Sequence, residues 1–479
     1  MEVRRVHVDP AARESRPFEG FGTSLAWWAN ALGRLPIAES ELVIRRFFSL
    51  SDGGLGLNVA RFNAGGGEQP GLPMTMDSRA VMEGYRSAPD RPLDESADPG
   101  QRAVLRDAAR IAAEEGRELV VEVFGNSPPW WATVSGSVTG ASRAFGWPAP
   151  NLDPVFSRDY LRYLLDVADF IERDAHVSVA SISPFNEPTS RWWRFGGRQE
   201  GCHFTAEGID ALLRETLAES APDVRRHSES DPRLVAASEE WSLDQTLETW
   251  DALGATARRA IGRLNVHTYD GANRTAVRAL ATRAGIPLWV SEFGVGDESG
   301  GSLARALVRD VRELAPTAWV LWQAISPDSW GLLVSDAEGR PVRATPALEV
   351  FARFTRALRP GMHLTGCDDP NAVAAAGEGS AAVVLVATTS RAAETIELDL
   401  SRLAAPASVV AETSIVGRIG DPTRAELVPD AGGVVRFELS PGGVVSVVAT
   451  ESAAVPDSGA RGDATAVAAT REEGPHGQA

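Results

Sequence analysis

The chain has 479 residues, of which 43% are hydrophobic and 23% are charged, the composition of an ordinary globular protein. Its formal net charge of −18 argues against nucleic acid or an anionic membrane surface as a partner, because either would require a basic face. The sequence contains no lysine, which excludes Schiff-base, pyridoxal-phosphate and phosphate-loop mechanisms that need a lysine amine.

Eight apolar, β-branched or aromatic runs alternate with helix-like stretches. The predicted strands are Phe18–Ala26, Leu55–Asn63, Leu119–Asn126, Val177–Asn186, Leu234–Trp241, Leu264–Tyr269, Pro287–Phe293 and Thr317–Ala324. Between them, segments such as 156–171 repeat apolar residues at three- and four-residue steps, which indicates a buried helical face. Eight strand–helix repeats favour a (β/α)₈ TIM barrel over an open sheet.

The connections that follow the predicted strands are long and rich in Gly, Pro, Trp and Asn. Examples are Asn63–Pro99, Asn126–Pro154 and Pro188–Phe204, whereas the connections from helix to strand are shorter. In a barrel these long loops would all rise at the C-terminal face, where active sites form. We therefore expect the functional site at that face.

The character of the sequence changes after the eighth run, which predicts separate domains. We assign residues 18–345 to the barrel, 346–451 to a small antiparallel β-sandwich and 452–479 to a disordered tail. Pro346–Leu358 is predicted to be a helix. The predicted sandwich strands are Ala381–Ala387, Thr395–Leu400, Val409–Thr413, Val434–Leu439 and Val444–Ala449. The first stretch, Glu2–Val8, is predicted to be a strand and could add an edge to the barrel.

Cysteine usage and hydropathy give further expectations. Cys202 and Cys367 lie far apart and outside any metal-spaced motif, so we expect free thiols. No apolar run has the length of a membrane span, and the start lacks the apolar core of a signal peptide. As written, the chain is expected in the cytoplasm, and it would be secreted if a leader had been removed.

Two glutamates close apolar runs and suggest a chemistry. Glu187 ends the fourth run and Glu292 the seventh. In a closed eight-stranded barrel these strands lie on roughly opposite sides of the opening, so the two side chains can converge on one sugar. Two such carboxylates are the minimum equipment for cleaving a glycosidic bond, because one protonates the leaving oxygen while the other attacks the sugar or activates water.

At this point the chain resembles a known family. The segments that carry the resemblance are Phe18–Thr23, Asn58–Asn63, Asn126–Trp130, Phe185–Pro188, His267–Tyr269, Ser291–Gly294 and Trp319–Trp322. In this order they resemble glycoside hydrolase family 30, over about residues 2–450. The resemblance implies a retaining mechanism with Glu187 as acid/base and Glu292 as nucleophile, and a side β-domain that residues 1–17 join. We expect this enzyme to need no cofactor and no metal.

Three loop segments resemble one branch of that family, the endo-β-1,6-galactanases. They are Thr23–Asn30, Val134–Gly140 and Trp192–Cys202. The glucosylceramidase branch instead carries an Asp-containing segment where this chain has Ser24–Trp28. The branch implies a glycan substrate, β-1,6-galactan side chains of arabinogalactan.

Other residues suit the same chemistry without reference to any family. Arg61 is placed to keep Glu292 ionised, and Asn186 to bind a sugar 2-hydroxyl. His267 and Tyr269 alternate on the sixth run, so both point the same way, with Tyr269 a candidate donor to the nucleophile. Each also has a purely structural alternative, as an ion pair, a turn residue or a packed core residue.

Tryptophans crowd the predicted loops and strand ends. Pairs occur at Trp27–Trp28, Trp130–Trp131 and Trp192–Trp193, and Trp322 ends the eighth run. Indole faces stack on sugar rings, so Trp130, Trp192, Trp322 and the neighbouring Asn126 are predicted to bind substrate. Trp322 is the predicted floor beneath the cleaved sugar, and one member of each pair is expected in the core.

The sequence therefore predicts a retaining endo-glycosidase that acts on β-1,6-galactan. Three alternatives remain open at this stage. The first is another specificity of the same family, namely a β-glucosidase or glucosylceramidase, a fucosidase or a xylanase. The second is a non-catalytic sugar-binding barrel, and the third is a metal-dependent barrel hydrolase. The histidine and cysteine spacings disfavour the last, because none matches a metal-binding motif.

Overall fold

The computed structural model describes residues 3–51, 53–142, 144, 146, 148–217, 234–388, 391–402 and 407–451. After strand β1 (Val3–Arg13), eight parallel strands close into a barrel in chain order. They are β2 (Gly20–Ser24), β3 (Val59–Asn63), β4 (Val120–Phe124), β5 (Ser178–Ser183), β6 (Leu234–Ser242), β7 (Arg263–Asp270), β8 (Leu288–Phe293) and β9 (Ala318–Leu321). The (β/α)₈ prediction is confirmed, and every strand overlaps its predicted run.

Helices surround the barrel and bury one face each against it. They are α1 (Trp28–Leu32), α2 (Ile37–Phe48), α3 (Pro99–Glu114), α4 (Ser157–Ala175), α5 (Ala206–Glu215), α6 (Leu243–Ala252), α7 (Ala255–Ala260), α8 (Arg274–Ala284) and α9 (Gly301–Glu313). In α4 the periodic positions, among them Leu161, Leu164 and Ile171, are buried as predicted. Each such side chain contributes roughly 1.5–3 kcal/mol over an exposed one.

The long loops after the strands gather at one face of the barrel, and some carry short ordered segments. After β9 the chain forms a small sheet of β10 (Ile325–Ser326), β11 (Leu333–Ser335) and β12 (Pro341–Ala344), followed by helix α10 (Pro346–Ala357). Short 3₁₀ turns occur at Ser78–Ala80, Trp130–Ala132 and Pro154–Phe156. The sequence predicted α10 but not this small sheet, whose strands are too short for a periodic pattern.

A nine-stranded sheet forms the side domain. Its other strands are β13 (His363–Cys367), β14 (Ala372–Gly377), β15 (Ser380–Val386), β16 (Glu394–Asp399), β17 (Ser408–Ile415), β18 (Thr423–Glu426), β19 (Val434–Leu439) and β20 (Gly443–Thr450). The order is β18-β17-β20-β15-β14-β13-β1-β16-β19. Apolar residues of β16 and β19 share one core with those of β15, β17 and β20, so the sheet packs on itself as a sandwich.

Strand β1 corrects one expectation drawn from the residues alone. It is not an edge of the barrel, because it lies inside the side sheet, antiparallel to β13 and parallel to β16. The alternating burial of Val6 and Val8 belongs to the side-domain core. Apart from this parallel pair, neighbouring strands of the side sheet run antiparallel.

The two cysteines are free thiols, Cys202 buried beside the barrel and Cys367 half-buried in β13. Within the described ranges, no helix combines the length and apolarity needed to cross a membrane. The predicted tail at 452–479 lies outside the described residues.

Candidate active site

Glu187 and Glu292 come together at the C-terminal face of the barrel. Glu187 lies in the loop after β5, and Glu292 is the penultimate residue of β8. One carboxylate oxygen of each, together with one ring nitrogen of His267, all lie within 4.8 Å of one another. Their side chains border a cavity of about 440 Å³, here called the first cavity. As their positions at strand ends predicted, both carboxylates therefore border one cavity, and this cavity is large enough for a ligand.

The backbone of Glu187 is fixed in an uncommon conformation. Its φ is 47°, in the left-handed region that residues other than glycine rarely occupy at a cost of about 1–3 kcal/mol. Two hydrogen bonds hold it there. The Glu187 N–H donates to the carbonyl of Glu239 at 2.7 Å, and the Trp193 indole N–H donates to the Glu187 carbonyl at 2.9 Å. The direction of the carboxyl group is thus set by β6 and by the loop that carries Trp193.

Glu292 is held by two donors on its two oxygens. The Arg61 Nη1 lies 3.1 Å from Oε2, and the Tyr269 hydroxyl donates to Oε1 at 3.0 Å. Burial raises the pKa of the Glu292 carboxyl, while the positive charges of His267 and Arg61 oppose that shift. These contacts are those predicted for Arg61 and Tyr269. They leave Glu292 oriented, with each oxygen already bonded.

A layer of buried charges lies directly beneath the two glutamates. Arg61 is fully buried and also contacts Glu122 at 3.0 Å and Glu239 at 3.2 Å. Burial disfavours the charged guanidinium, but the three carboxylates outweigh it and raise the Arg61 pKa. Arg263 contacts Glu122 as well, and its guanidinium stacks 3.4 Å above the Trp289 ring. The arginines thus neutralise carboxylates that could not otherwise be buried in charged form.

His267 joins this layer to the site above it. Its Nδ1 lies 3.4 Å from an oxygen of Glu187 and 3.7 Å from one of Glu292, and its Nε2 lies 3.1 Å from Glu239. Burial disfavours the imidazolium, but Glu292, Glu187 and Glu239 outweigh that cost and raise the pKa of His267 to about 10. At neutral pH the ring therefore carries a positive charge between the carboxylates.

Glu187, His267 and Glu292 are also the residues that could offer three ligand atoms to a metal ion. Two positive groups already occupy their surroundings, because Arg61 contacts Glu292 at 3.1 Å and His267 carries a proton. A metal needs the neutral imidazole and carboxylates that are free to coordinate. The electrostatics of the site therefore disfavour a metal.

Aromatic and arginine side chains build the walls of the first cavity. Its lining includes the predicted residues Asn186, Trp192, Tyr269 and Trp322, together with Thr139, Trp193, Arg194, Gly197, Arg198, Gln199, Trp241 and Trp330. Trp192 is 43% exposed and packs edge-on against Trp193 and Trp241, with ring centroids 6.0 and 5.4 Å apart. Asn186 has a buried Oδ1 with no hydrogen-bond partner among the described residues. A polar atom held in this state is ready to accept from a ligand.

The other predicted residues lie outside these walls. Arg61 and His267 are fully buried below the cavity floor. Asn126 is buried just after β4. Trp130 begins a 3₁₀ turn, and its backbone N–H donates to the carbonyl of Gly66. Neither Asn126 nor Trp130 lines the first cavity.

Comparisons with known proteins give the chain its family. A family model described as O-Glycosyl hydrolase family 30 matches residues 4–242. An endo-β-1,6-galactanase of Hypocrea rufa is 32% identical over 418 residues, covering 82% of this chain and 83% of that protein.

The chain belongs to glycoside hydrolase family 30. It is a glycosidase, and the resemblance found in the sequence motifs is confirmed.

Two further proteins are similar to this family 30 enzyme. An exo-β-1,6-galactobiohydrolase of Bifidobacterium longum subsp. longum is 22% identical over 386 residues, covering 62% of this chain and 25% of that protein. The catalytic domain of a family 30 xylanase C from Talaromyces cellulolyticus matches the fold with a TM-score of 0.69 at 18% identity, covering 93% of this chain and 100% of that domain.

Sequence reasoning missed part of the buried layer of this family 30 site. Glu122, Glu239, Arg263 and Asn265 stand inside strands that were predicted from their apolar residues. Two of these residues could have been predicted from the sequence of β7. Arg263 and Asn265 lie at alternate positions on the same strand face as His267 and Tyr269, which were predicted to point the same way. Glu239 could have been found as a charged residue inside a strand-like run.

Proposed function

We propose that this chain is a retaining endo-β-1,6-galactanase that cleaves the β-1,6-galactan side chains of arabinogalactan. The observation that carries the mechanism is the approach of Glu187 and Glu292, whose nearest oxygens lie within 4.8 Å. Retaining glycosidases hold their carboxyl groups about 5–5.5 Å apart, whereas inverting enzymes leave about 6.5–9.5 Å for a water. The short approach supports direct attack on the sugar.

The reaction proceeds in two displacements. Glu292 Oε attacks the anomeric carbon while Glu187 donates its proton to the glycosidic oxygen, so the C–O bond to the leaving chain breaks and a galactosyl ester forms. Water then attacks the anomeric carbon and gives its proton to Glu187. The ester bond breaks, Glu292 becomes a carboxylate again, and the galacto-oligosaccharide is released with its new reducing end in the β configuration.

The neighbours of Glu292 support its assignment as nucleophile. Arg61 and Tyr269 each donate to one of its oxygens, and His267 places a positive charge beside it. These donors stabilise the carboxylate both before attack and as the ester departs. In the described part of the chain Glu187 has no arginine ion-pair partner, whereas Glu292 has Arg61.

The substrate is supported by identity and by the placement of the galactanase-like loops. Residues 134–140 and 192–202 pack on each other, since Gly201 donates to Val138 and Gly196 donates to the Thr139 hydroxyl. Residues of both segments line the first cavity. The chain is 32% identical to an endo-β-1,6-galactanase. Endo action is supported by Trp192 and Trp330, which are 43% and 41% exposed and offer stacking faces beyond the cleaved sugar.

The test is release of oligosaccharides from β-1,6-galactan by the wild type, Glu187→Gln and Glu292→Gln. Both variants should lose about 10²–10⁴-fold in kcat on galactan. They should differ on an aryl galactoside with a good leaving group, where ester formation needs no acid. There Glu187→Gln should accumulate the glycosyl-enzyme and Glu292→Gln should form none. Glu118→Gln, an exposed glutamate below the barrel, is the matched control.

Two results would overturn the proposal. Equal galactan cleavage by all three proteins would remove the catalytic assignment, and α-configured first product in an NMR time course would exclude retention. A product pattern consisting of galactobiose alone from the earliest times would favour exo action, as named for the Bifidobacterium relative, over endo action.

A further inference from the structure

A second cavity opens beside the first on the same face of the barrel. Its volume is about 310 Å³, within the range of small-molecule pockets. It is built by the loops after β2, β3 and β9, so it stands across the barrel from the loops after β5 and β6 that carry Trp192 and Trp241. Its lining is Trp27, Trp28, Asn30, Ala31, Arg34, Leu35, Ser78, Arg79, Gln323, Ile325, Pro327, Ser335, Ala337, Glu338 and Gly339.

Two indole rings separate the cavities. Trp27 lines the second cavity and Trp322 lines the first, and their rings pack edge-to-face with centroids 5.3 Å apart. Trp27 has a φ of 70°, a left-handed conformation that is costly for a bulky residue and that persists where the surroundings enforce it. The two cavities are therefore separated by the thickness of this indole pair.

The second cavity contains polar groups without partners. Gln323 is 5% exposed and lines the cavity, and its Nε2 has no hydrogen-bond partner in the described part of the chain. The indole N–H of Trp27 is in the same state. Buried donors are normally bonded, so these two mark a place where a ligand completes the hydrogen bonding. The neighbouring Trp28 and Ile325 are apolar, and the lining arginines Arg34 and Arg79 are paired with Glu83 and Asp77, so the cavity suits a neutral sugar.

The direction in which the substrate chain binds determines which part of it would reach the second cavity. The acid on Glu187 protonates the oxygen of the leaving chain, so the leaving chain lies on the side of Glu187 and the loop bearing Trp192. The part of the chain that stays on the enzyme extends the other way. The loops after β2 and β9 stand on that other side of the closed barrel.

We propose that the second cavity is a subsite for a galactosyl unit on the non-reducing side of the cleaved sugar. The unit sits against Trp28 and accepts hydrogen bonds from Gln323 and Trp27, at least one unit upstream of the cleaved galactose. The inference rests on the proposed galactanase function. It makes chain length, rather than the cleaved sugar alone, a determinant of the rate.

The experiment measures kcat/KM for linear, arabinose-free β-1,6-galacto-oligosaccharides of two to six units and for an aryl β-galactoside. Gln323→Ala removes the amide, and Ala337→Trp plugs the cavity from an exposed loop position that does not disturb the core. Ala393→Trp, an exposed alanine in the side domain, is the matched control. The ratio of long-chain to aryl-galactoside kcat/KM should fall about five- to tenfold in both cavity variants, because one or two hydrogen bonds are lost. It should not change in Ala393→Trp.

The outcomes separate the two proposals. If the wild type cleaves no β-1,6-galactan, the proposed function fails. If it cleaves galactan and the ratio is unchanged in both cavity variants, the subsite alone is overturned.

Discussion

The Nε2 of His267 lies 3.1 Å from Oε2 of Glu239, a fully buried carboxylate on β6 that also contacts Arg61. His267 therefore bonds a buried carboxylate on one side and faces Glu187 and Glu292 on the other. The positive charge on the ring depends on this arrangement, since the three carboxylates raise the pKa of His267 to about 10 against the effect of burial.

Glu239→Gln should change the alkaline limb of activity. The neutral amide removes one of the charges that hold the proton, so His267 should lose it at lower pH, and kcat on galactan should fall about tenfold near pH 8–9 and less near pH 6. The measurement is kcat from pH 5 to 10. Glu118→Gln is the control, because the exposed Glu118 lies before β4, at the opposite end of the barrel from His267. An alkaline limb identical to that of the wild type would contradict the prediction.

Tyr269→Phe should slow the reaction without unfolding the protein. The hydroxyl donates to Glu292 at 3.0 Å, and a hydrogen bond to a charged group contributes about 1.5–3 kcal/mol, which corresponds to roughly 10- to 150-fold in kcat/KM. Tyr85→Phe is a matched control, because the buried Tyr85 hydroxyl has no hydrogen-bond partner among the described residues. Equal kinetic losses in both variants would point to general core damage.

Gly201→Ala should disturb the site from the loop behind it. An added Cβ would lie 2.0 Å from Cε3 of Trp193, whose indole N–H bonds the Glu187 carbonyl. Since overpacking costs about 1–3 kcal/mol, Trp193 should shift and kcat should fall about tenfold or more. Gly208→Ala meets nothing closer than 3.6 Å and serves as the control. Wild-type kcat with a lowered melting temperature would show that Trp193 does not transmit the change.

Glu200→Gln should stabilise the protein at high pH. Burial raises the pKa of Glu200 to about 8, so the folded state holds this proton more tightly than the unfolded chain. The stability that the neutral acid contributes is complete below about pH 4.5 and is lost as pH rises toward 8. Glutamine stays neutral and its carbonyl can still accept from the Gly66 N–H, as Glu200 does at 2.8 Å.

Urea unfolding at pH 4.5 and pH 9 tests this effect. The variant should match the wild type at pH 4.5 and exceed it by about 1–3 kcal/mol at pH 9. Asp77→Asn is a control for which the opposite result is expected. The Arg79 hydrogen bonds lower the pKa of Asp77, so replacing its carboxylate with a neutral amide should not stabilise the protein at high pH. A stability difference between Glu200→Gln and the wild type that does not vary with pH would contradict the prediction.

The repeating parts of the fold could be predicted from the sequence. The eight barrel strands, the face that carries the long loops and the meeting of Glu187 with Glu292 follow from periodicity and from the rule that parallel strands end at one face. The hydrogen bonds of Arg61 and Tyr269 to Glu292 were also anticipated, because both residues lie on barrel strands near the predicted position of Glu292.

The missed features depend on contacts between strands rather than within them. Glu122 and Glu239 can be buried because Arg61, Arg263 and His267 reach them from β3 and β7, and that reach depends on how the strands are staggered in the closed barrel. Strands β13 and β14 were missed because alanine, glycine and threonine in them give little alternating contrast. The place of β1 is likewise set by its partner β16, far along the chain.

The interior position of β1 has a consequence for synthesis. Val3 pairs with Thr395, and the ribosome makes that partner roughly 390 residues later, which takes roughly 20 to 80 s at 5–20 residues per second. During that interval the barrel can close, but the backbone N–H and C=O groups of β1 that pair with β16 have no partner. The side domain is thus the last unit to assemble, and shortening the chain before β16 would leave β1 as an open edge for other molecules to pair with.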